Sequence, residues 1–178
     1  MKIVLIGIQG SGKSTQGNLL SSKLSVPYLS TGHIFREITR EHTPLGRYVK
    51  ETMNAGYLIP DDKTLKIVSE YLARPEYQKG YILDGFPRTK VQAQDFKNSI
   101  DYVIYINVSD KEALRRLSLR RDGRDDETEQ ALKKRIELFY KFTKPVVYYY
   151  KERGMLHEVN GERSIDEIHQ DICKILRI

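Results

Sequence analysis

The chain contains a single cysteine among its 178 residues. One thiol, Cys173, excludes an internal disulfide and any metal site built from several cysteines, and it suits a reducing cytoplasm. It falls in the apolar pattern Ile168, Ile172, Ile175 and Leu176, where it reads as a small core residue. No apolar run approaches the ~20 residues that span a bilayer, so no membrane crossing is expected. A signal peptide is not expected either, because Lys2 leads straight into a short strand-like run and then glycines. Low-complexity tracts, internal repeats and linkers are also missing, so the chain reads as one domain. With 39% hydrophobic and 30% charged residues it is ordinary for a globular protein, and long enough for one α/β core. The net charge is +6, which suits anionic partners only where the cations converge; a diffuse lysine surplus is a solvated surface.

Short β-rich runs alternate with longer helical patterns. The strand candidates are Lys2–Ile6, Pro27–Leu29, Tyr81–Leu83, Tyr102–Val108 and Leu156–Val159. The first and fourth are nearly continuous apolar or aromatic runs, as strands covered on both faces should be. Helices are expected over Lys13–Leu24, His33–Glu41, Leu45–Ala55, Lys63–Leu72, Val91–Phe96, Lys111–Arg120, Thr128–Lys151 and Ile165–Leu176. Ser109…Glu112 and Ser164…Glu167 each have capping-box spacing, and Pro145 should kink or split the long helix after Thr143. Strand–helix alternation implies a parallel sheet with helices on both faces, which binds ligands beyond the carboxyl ends of its strands.

Chemistry enters at Gly7-Ile-Gln-Gly-Ser-Gly12-Lys13-Ser14, a full G-x-x-x-x-G-K-[ST] motif between a strand and a helix. Gly7, Gly10 and Gly12 let the backbone turn its N–H groups inward as an anion nest. The positive end of the next helix adds to that field, and Lys13 reaches the outer phosphates of a nucleotide. Ser14 or Thr15 is placed to orient Mg²⁺ or a phosphate oxygen. A glycine-rich turn alone would need neither the lysine nor the hydroxyls, so a nucleoside triphosphate site is expected.

A second anion site is expected at Tyr81-Ile-Leu-Asp84-Gly-Phe-Pro-Arg88-Thr89. A carboxylate at the end of an apolar strand can hold Mg²⁺ through water. Arg36, Arg88, Arg116, Arg120, Arg124 and Arg135 exceed what one Mg²⁺-bound triphosphate requires. Guanidinium forks match phosphoryl oxygens, so a second phosphate-bearing substrate should face the first.

Together these stretches resemble the adenylate kinases of the nucleoside monophosphate kinase family over nearly the whole chain. The carrying residues are Gly7–Thr15 with Gln16, Ser30-Thr31-Gly32 with Phe35-Arg36, and Gly56–Pro60. They continue with Leu83–Thr89, Gln92-Ala93, Arg116, Arg120, Gly123–Asp126 and Arg135. The resemblance implies an α/β fold, a P-loop NTPase-type parallel five-stranded sheet in the order 2-3-1-4-5. It implies a core over 1–29, 60–120 and 127–178, a helical monophosphate-binding insertion over 30–59 and a lid over 121–126. The implied reaction is ATP + AMP ⇌ 2 ADP with Mg²⁺, in a monomer without nucleic-acid or membrane partners. Thr31, Arg36, Arg88 and Gln92 would then hold AMP, with Tyr57, Leu58, Ile59 and Gly85 lining its pocket. Gly10, Ser11, Gly12, Lys13, Ser14, Thr15 and Arg120 would bind ATP, with Arg116 and Arg163 beside its adenine. Lys13, Arg88, Arg120, Arg124 and Arg135 would surround the transferring phosphoryl group, with Arg124 and Arg135 also reaching AMP. Ser14 and Asp84 would serve Mg²⁺, largely through water.

The chain departs from the family pattern at three places. Gln9 and Ser14 replace the usual proline and glycine of the loop, and His33 replaces an aspartate at a helix start, losing a favourable interaction with the helix dipole. Only Arg121-Asp122-Gly123 separates Arg120 from Arg124, which excludes the long zinc-bearing lid; either closure of the 30–59 clamp does more of the water exclusion or ATP hydrolysis leaks more. The related UMP/CMP kinases usually carry alanine at the position of Thr31 and asparagine at that of Thr89, so AMP is the favoured acceptor. A nucleotide-responsive binding module acting on RNA is the reading of another class. The 12 tyrosines would suit it, but Tyr148-Tyr149-Tyr150 lies in a helix with Val146 and Val147, and no nucleic-acid motif is present. Lys13→Ala should abolish phosphoryl transfer while leaving the circular dichroism spectrum and melting curve unchanged. Near-native turnover would overturn the role given to the loop.

Overall fold

The computed structural model describes residues 1–119 and 128–178. Arg120, Arg124 and the expected lid at 121–126 lie outside the described residues. Five strands, β1 (Lys2–Ile6), β2 (Tyr28–Ser30), β3 (Tyr81–Asp84), β4 (Tyr102–Asn107) and β5 (Leu156–Asn160), form one parallel sheet in the order β2-β3-β1-β4-β5. This is the order expected from the resemblance. The helices are α1 (Lys13–Leu24), α2 (Thr31–Arg40), α3 (Pro44–Asn54), α4 (Asp61–Leu72), α5 (Lys90–Asp95), α6 (Asp110–Ser118), α7 (Glu129–Leu138), α8 (Lys144–Glu152) and α9 (Ile165–Leu176).

The period of two along the strands divides the core between the two faces of the sheet. Val4, Ile6, Leu83, Val103 and Tyr105 pack against Val68 and Leu72 of α4 and Val146, Val147 and Tyr150 of α8. Ile3, Leu5, Ile82, Ile104 and Ile106 pack against Leu20 of α1 and Ile168, Ile172 and Leu176 of α9. Cys173 of α9 is buried, as its place in the helical pattern led us to expect. A separate small core of Phe35, Val49, Met53 and Ile59 holds α2 and α3 together.

Local chemistry shifts several expected boundaries. α2 begins at Thr31 rather than His33 because the Ser30 side chain caps it, accepting from the His33 backbone N–H. His33 therefore occupies the third helical position, and the first turn carries no acid. α6 ends at Ser118, short of Arg120. Its capping box is only half formed. Ser109 accepts from the Glu112 N–H, but the Glu112 carboxylate pairs with Arg115 and Arg116, and Glu162 takes the Ser109 N–H instead. Ser164 and Glu167 complete the reciprocal box at α9.

The long helix expected over 128–151 is interrupted. A π turn, Phe139–Thr143, separates α7 from α8, and the Lys144 N–H reaches the Phe139 carbonyl. Pro145 has no N–H to give, and its ring would collide with a carbonyl one turn earlier; a widened turn relieves both problems. The break thus starts before Thr143, several residues upstream of the proline that causes it.

Ser164→Ala removes an N-cap acceptor and should cost about 1 kcal/mol of stability, read as a lower urea midpoint with an unchanged slope.

Candidate active site

The phosphate loop leaves the carboxyl end of the central strand β1 and enters α1 at Lys13. Gly12, the N-cap residue, has φ +91°, and Gly10 has φ +88° with the Ala113 carbonyl oxygen 2.6 Å from where a Cβ would stand. No L side chain fits at Gly10, and the loop takes its nest shape from that restriction. Lys13 Nζ is folded over its own loop, donating to Gly7 O at 2.8 Å and Ile8 O at 2.9 Å. A bound phosphate would offer stronger, anionic acceptors to the same ammonium.

The neighbouring strand supplies the facing wall. Parallel pairing sets Leu5 level with Asp84 and Asp84 level with Ser30. Asp84 is buried, and Tyr28 donates to its Oδ2 at 2.6 Å. Burial first, then the Asp84 charge, pushes the Tyr28 phenol well above its ordinary value, so it stays protonated as a donor at neutral pH. Gly85 follows at φ +81°, with the Thr31 hydroxyl 2.6 Å from a would-be Cβ, so Gly85 must be glycine for Thr31 to donate to its carbonyl at 2.9 Å. Arg88 Nε also donates to the Gly85 carbonyl, at 2.8 Å.

Gln92 is almost fully buried and held at both ends. Its Oε1 accepts from the Arg88 N–H at 2.7 Å, and its Nε2 donates to Asp61 Oδ1 at 2.8 Å. These partners fix the amide orientation and leave one lone pair and one N–H for a ligand. Thr143, at the end of the π turn, donates to the Arg88 carbonyl at 2.9 Å. Arg135 of α7 spans the cleft: Nη1 donates to Gln9 Oε1 and Nη2 to Met53 O, each at 3.1 Å.

One cleft gathers Gly10, Gly12, Lys13 and Ser14 with Arg36, Tyr57, Leu58, Ile59, Asp84, Gly85, Arg88, Gln92 and Arg135. Ser11 is buried behind the loop, and Thr31 lies behind Gly85, both just outside the lining. Thr15 is exposed on α1. Neither Arg116 nor Arg163 lines the cleft, but Arg116 Nη1 stands 3.8 Å from where a Cβ on Gly12 of the phosphate loop would lie. Arg116 donates to Gly161 O at 2.8 Å and pairs with Glu112, while Arg163 pairs with Glu167 and Asp171 along α9. The Glu112 and Glu167 carboxyls are held down at about 2, chiefly by hydrogen bonds from Arg115 and from Ser164 respectively, with Arg116 and Arg163 adding to the effect. Sequence reasoning missed Tyr28, Asp61 and Thr143 as supports of the site. Asp61 reads as a helix-start acid and Tyr28 as a strand aromatic, so neither carries a signal of its own. Gln9 stood out only as an unusual loop residue.

The donors in the cleft suit Mg²⁺. Ser14 and Asp84 offer hard oxygens, and among the described residues no three His, Cys, Asp or Glu side chains cluster as a metal cage. A cation held by one carboxylate, a hydroxyl, waters and substrate phosphates is the usual Mg²⁺ arrangement at nucleotide sites.

A parallel 2-3-1-4-5 sheet whose central strand ends in a phosphate loop is the architecture of the P-loop kinases. The sequence matches the adenylate kinase family over residues 5–155. Adenylate kinases of Clostridium botulinum (strain Loch Maree / Type A3) and Methanocella arvoryzae are each 36% identical to it. These similarities cover 99% of this chain, and 98% and 99% of the two relatives. The adenylate kinase of Oceanobacillus iheyensis is likewise 36% identical, over 99% of both chains. The chain belongs to the adenylate kinase family. The C. botulinum alignment runs over 212 positions, more than the 178 residues here, so that relative carries segments this chain lacks.

Arg88→Ala should weaken AMP binding tenfold or more, the scale of a lost charge-assisted hydrogen bond, while ATP affinity stays within twofold. Titration calorimetry with each nucleotide separates the two; equal losses would dissolve the division into two sites.

Proposed function

We infer that this protein is an adenylate kinase that moves the terminal phosphoryl group of ATP to AMP, reversibly giving two ADP. One observation carries the reading: the phosphate loop and an arginine-bearing second pocket open into the same cleft, on adjacent strand ends. A phosphoryl donor and acceptor held there can be brought in line without a covalent intermediate.

The roles are those that the family resemblance implies. Gly10, Ser11, Gly12, Ser14 and Thr15 cradle the donor phosphates, and Lys13 leaves its own loop carbonyls to meet them. Arg36 and Arg88 hold the acceptor phosphate, while Arg135, with Arg120 and Arg124, neutralises charge on the moving group. Mg²⁺, served by Ser14 and Asp84, supplies further charge neutralisation on the phosphates when bound. Arg116 and the backbone at Gly161–Arg163 flank the ATP adenine. Adenylate kinases use Mg²⁺ with ATP, and no zinc role is assigned.

Adenine as the acceptor base is supported by Gln92. Its remaining lone pair suits the amino N–H of adenine, and its remaining N–H suits the ring nitrogen beside it. A base with the opposite donor–acceptor order would require the amide to turn, and Asp61 and the Arg88 N–H oppose that turn. Tyr57, Leu58, Ile59, Thr31 and Gly85 complete the pocket. The separate α2–α3 core supports an insertion over 30–59 that moves as a unit on the core formed by 1–29, 60–120 and 127–178. With the 121–126 lid so short, that insertion carries most of the water exclusion. Among the described residues no helix is long and apolar enough to cross a membrane. We place the protein in the cytoplasm as a monomer, with ATP, AMP and ADP as its partners.

Mg-ATP offered separately with AMP, CMP, UMP, GMP and dTMP tests the assignment. AMP should exceed every other acceptor at least tenfold in kcat/KM, measured as diphosphate formed. A preference for UMP or CMP would move the protein to the sister kinases, and no product at all would overturn the enzyme reading.

A further inference from the structure

Tyr28 and Gly17 are unexplained by the roles above, yet they meet at the metal-bearing carboxylate. Tyr28 stands two residues before Ser30, the register partner of Asp84, so its side chain lies on the same face and reaches the aspartate diagonally. Its phenol donates to Asp84 Oδ2 at 2.6 Å, a short charge-assisted bond. The ring lies against α1 where the helix carries Gly17; a Cβ there would approach Tyr28 Cδ2 to 2.7 Å and overlap the adjoining ring carbon. Glycine inside a helix is otherwise unfavourable, and at Gly17 it makes room for this ring. Tyr28 does not line the cleft, whereas Asp84 does.

We propose that Tyr28 is the positioning residue of the Mg²⁺ site: it binds one oxygen of Asp84 and fixes the carboxylate so that the other serves a water on the metal, and Gly17 is glycine to admit it. The proposal rests on the reading of Asp84 as the carboxylate that serves Mg²⁺. Partners of this kind set ligand orientation, and their loss typically weakens metal affinity 10- to 100-fold. Removing the phenol oxygen leaves the ring in place, so the fold is retained while the carboxylate loses its fixed partner. Gly17→Ala reaches the same end from the other side by pushing the ring away.

The test measures Mn²⁺ affinity by electron paramagnetic resonance, with enzyme in excess over a non-hydrolysable ATP analogue, and analogue affinity without metal by calorimetry. Tyr28→Phe should weaken Mn²⁺ binding about tenfold and leave metal-free analogue binding unchanged. Gly17→Ala should act in the same direction, and the double variant should be no worse than Tyr28→Phe, because both act through one hydrogen bond. Asp84→Asn separates the two levels of the claim. If it weakens Mn²⁺ binding and Tyr28→Phe does not, Tyr28 has no positioning role. If Asp84→Asn itself leaves Mn²⁺ binding unchanged, the metal reading of Asp84 fails first and this proposal falls with it.

Discussion

The parallel pairing of β1 with β3 governs the rest of the molecule. It sets Leu5 beside Asp84, so the phosphate loop and the Asp84–Arg88 segment leave the sheet next to one another and at the same level. Both strands are buried along nearly their whole length, and neither can slip by one residue without exchanging its two apolar faces. The register that satisfies the core is therefore the register that aligns the phosphate loop with the proposed acceptor pocket. The spacing that the proposed transfer needs is protected by hydrophobic packing that has no part in the chemistry.

Around that register, hydrogen bonds to fixed groups hold the site. Gly85 O is shared by Thr31 and Arg88, Gln92 is held by Asp61 and the Arg88 backbone, and Thr143 holds the Arg88 carbonyl. Three of these bonds, from Thr31 to Gly85 O, from Gln92 to Asp61 and from Thr143 to Arg88 O, link distant elements, so the Arg88 segment is held by α2, by α4 and by the turn before α8. The ion pairs of Arg115 and Arg163 lie on helix surfaces, where solvent screens them and they contribute little to stability.

Most of the fold was legible because its signals are local and strong. The apolar runs at Lys2–Ile6 and Tyr102–Asn107, the loop motif and the Ser164…Glu167 box each specify their own conformation. What was not legible depends on partners distant in sequence. Glu112 matches a capping box in spacing, but two arginines on its own helix claim its carboxylate and Glu162 supplies the replacement. Asp61, Tyr28 and Thr143 gain their roles only when α4, β2 and the π turn are brought to the end of β3. The arginines divide in the same way. Arg36, Arg88 and Arg135 converge on the cleft, while Arg116, beside the phosphate loop, reaches from α6 to Gly161 and Arg163 pairs along α9. No spacing in the sequence distinguishes those two groups.

The π turn at Phe139–Thr143 also sets a rotational phase. Each residue of a regular helix advances the chain by ~100°, so one residue accommodated in a wider turn turns everything after it relative to everything before. Deleting a residue here would restore an unbroken ladder of hydrogen bonds and look, locally, like an improvement. It would also rotate α8, swinging Val146 and Tyr150 off the sheet and withdrawing Thr143 from Arg88. The length of this short turn is thus fixed twice, by the oil of the core and by the aim of an arginine. A more regular helix would lose both at once.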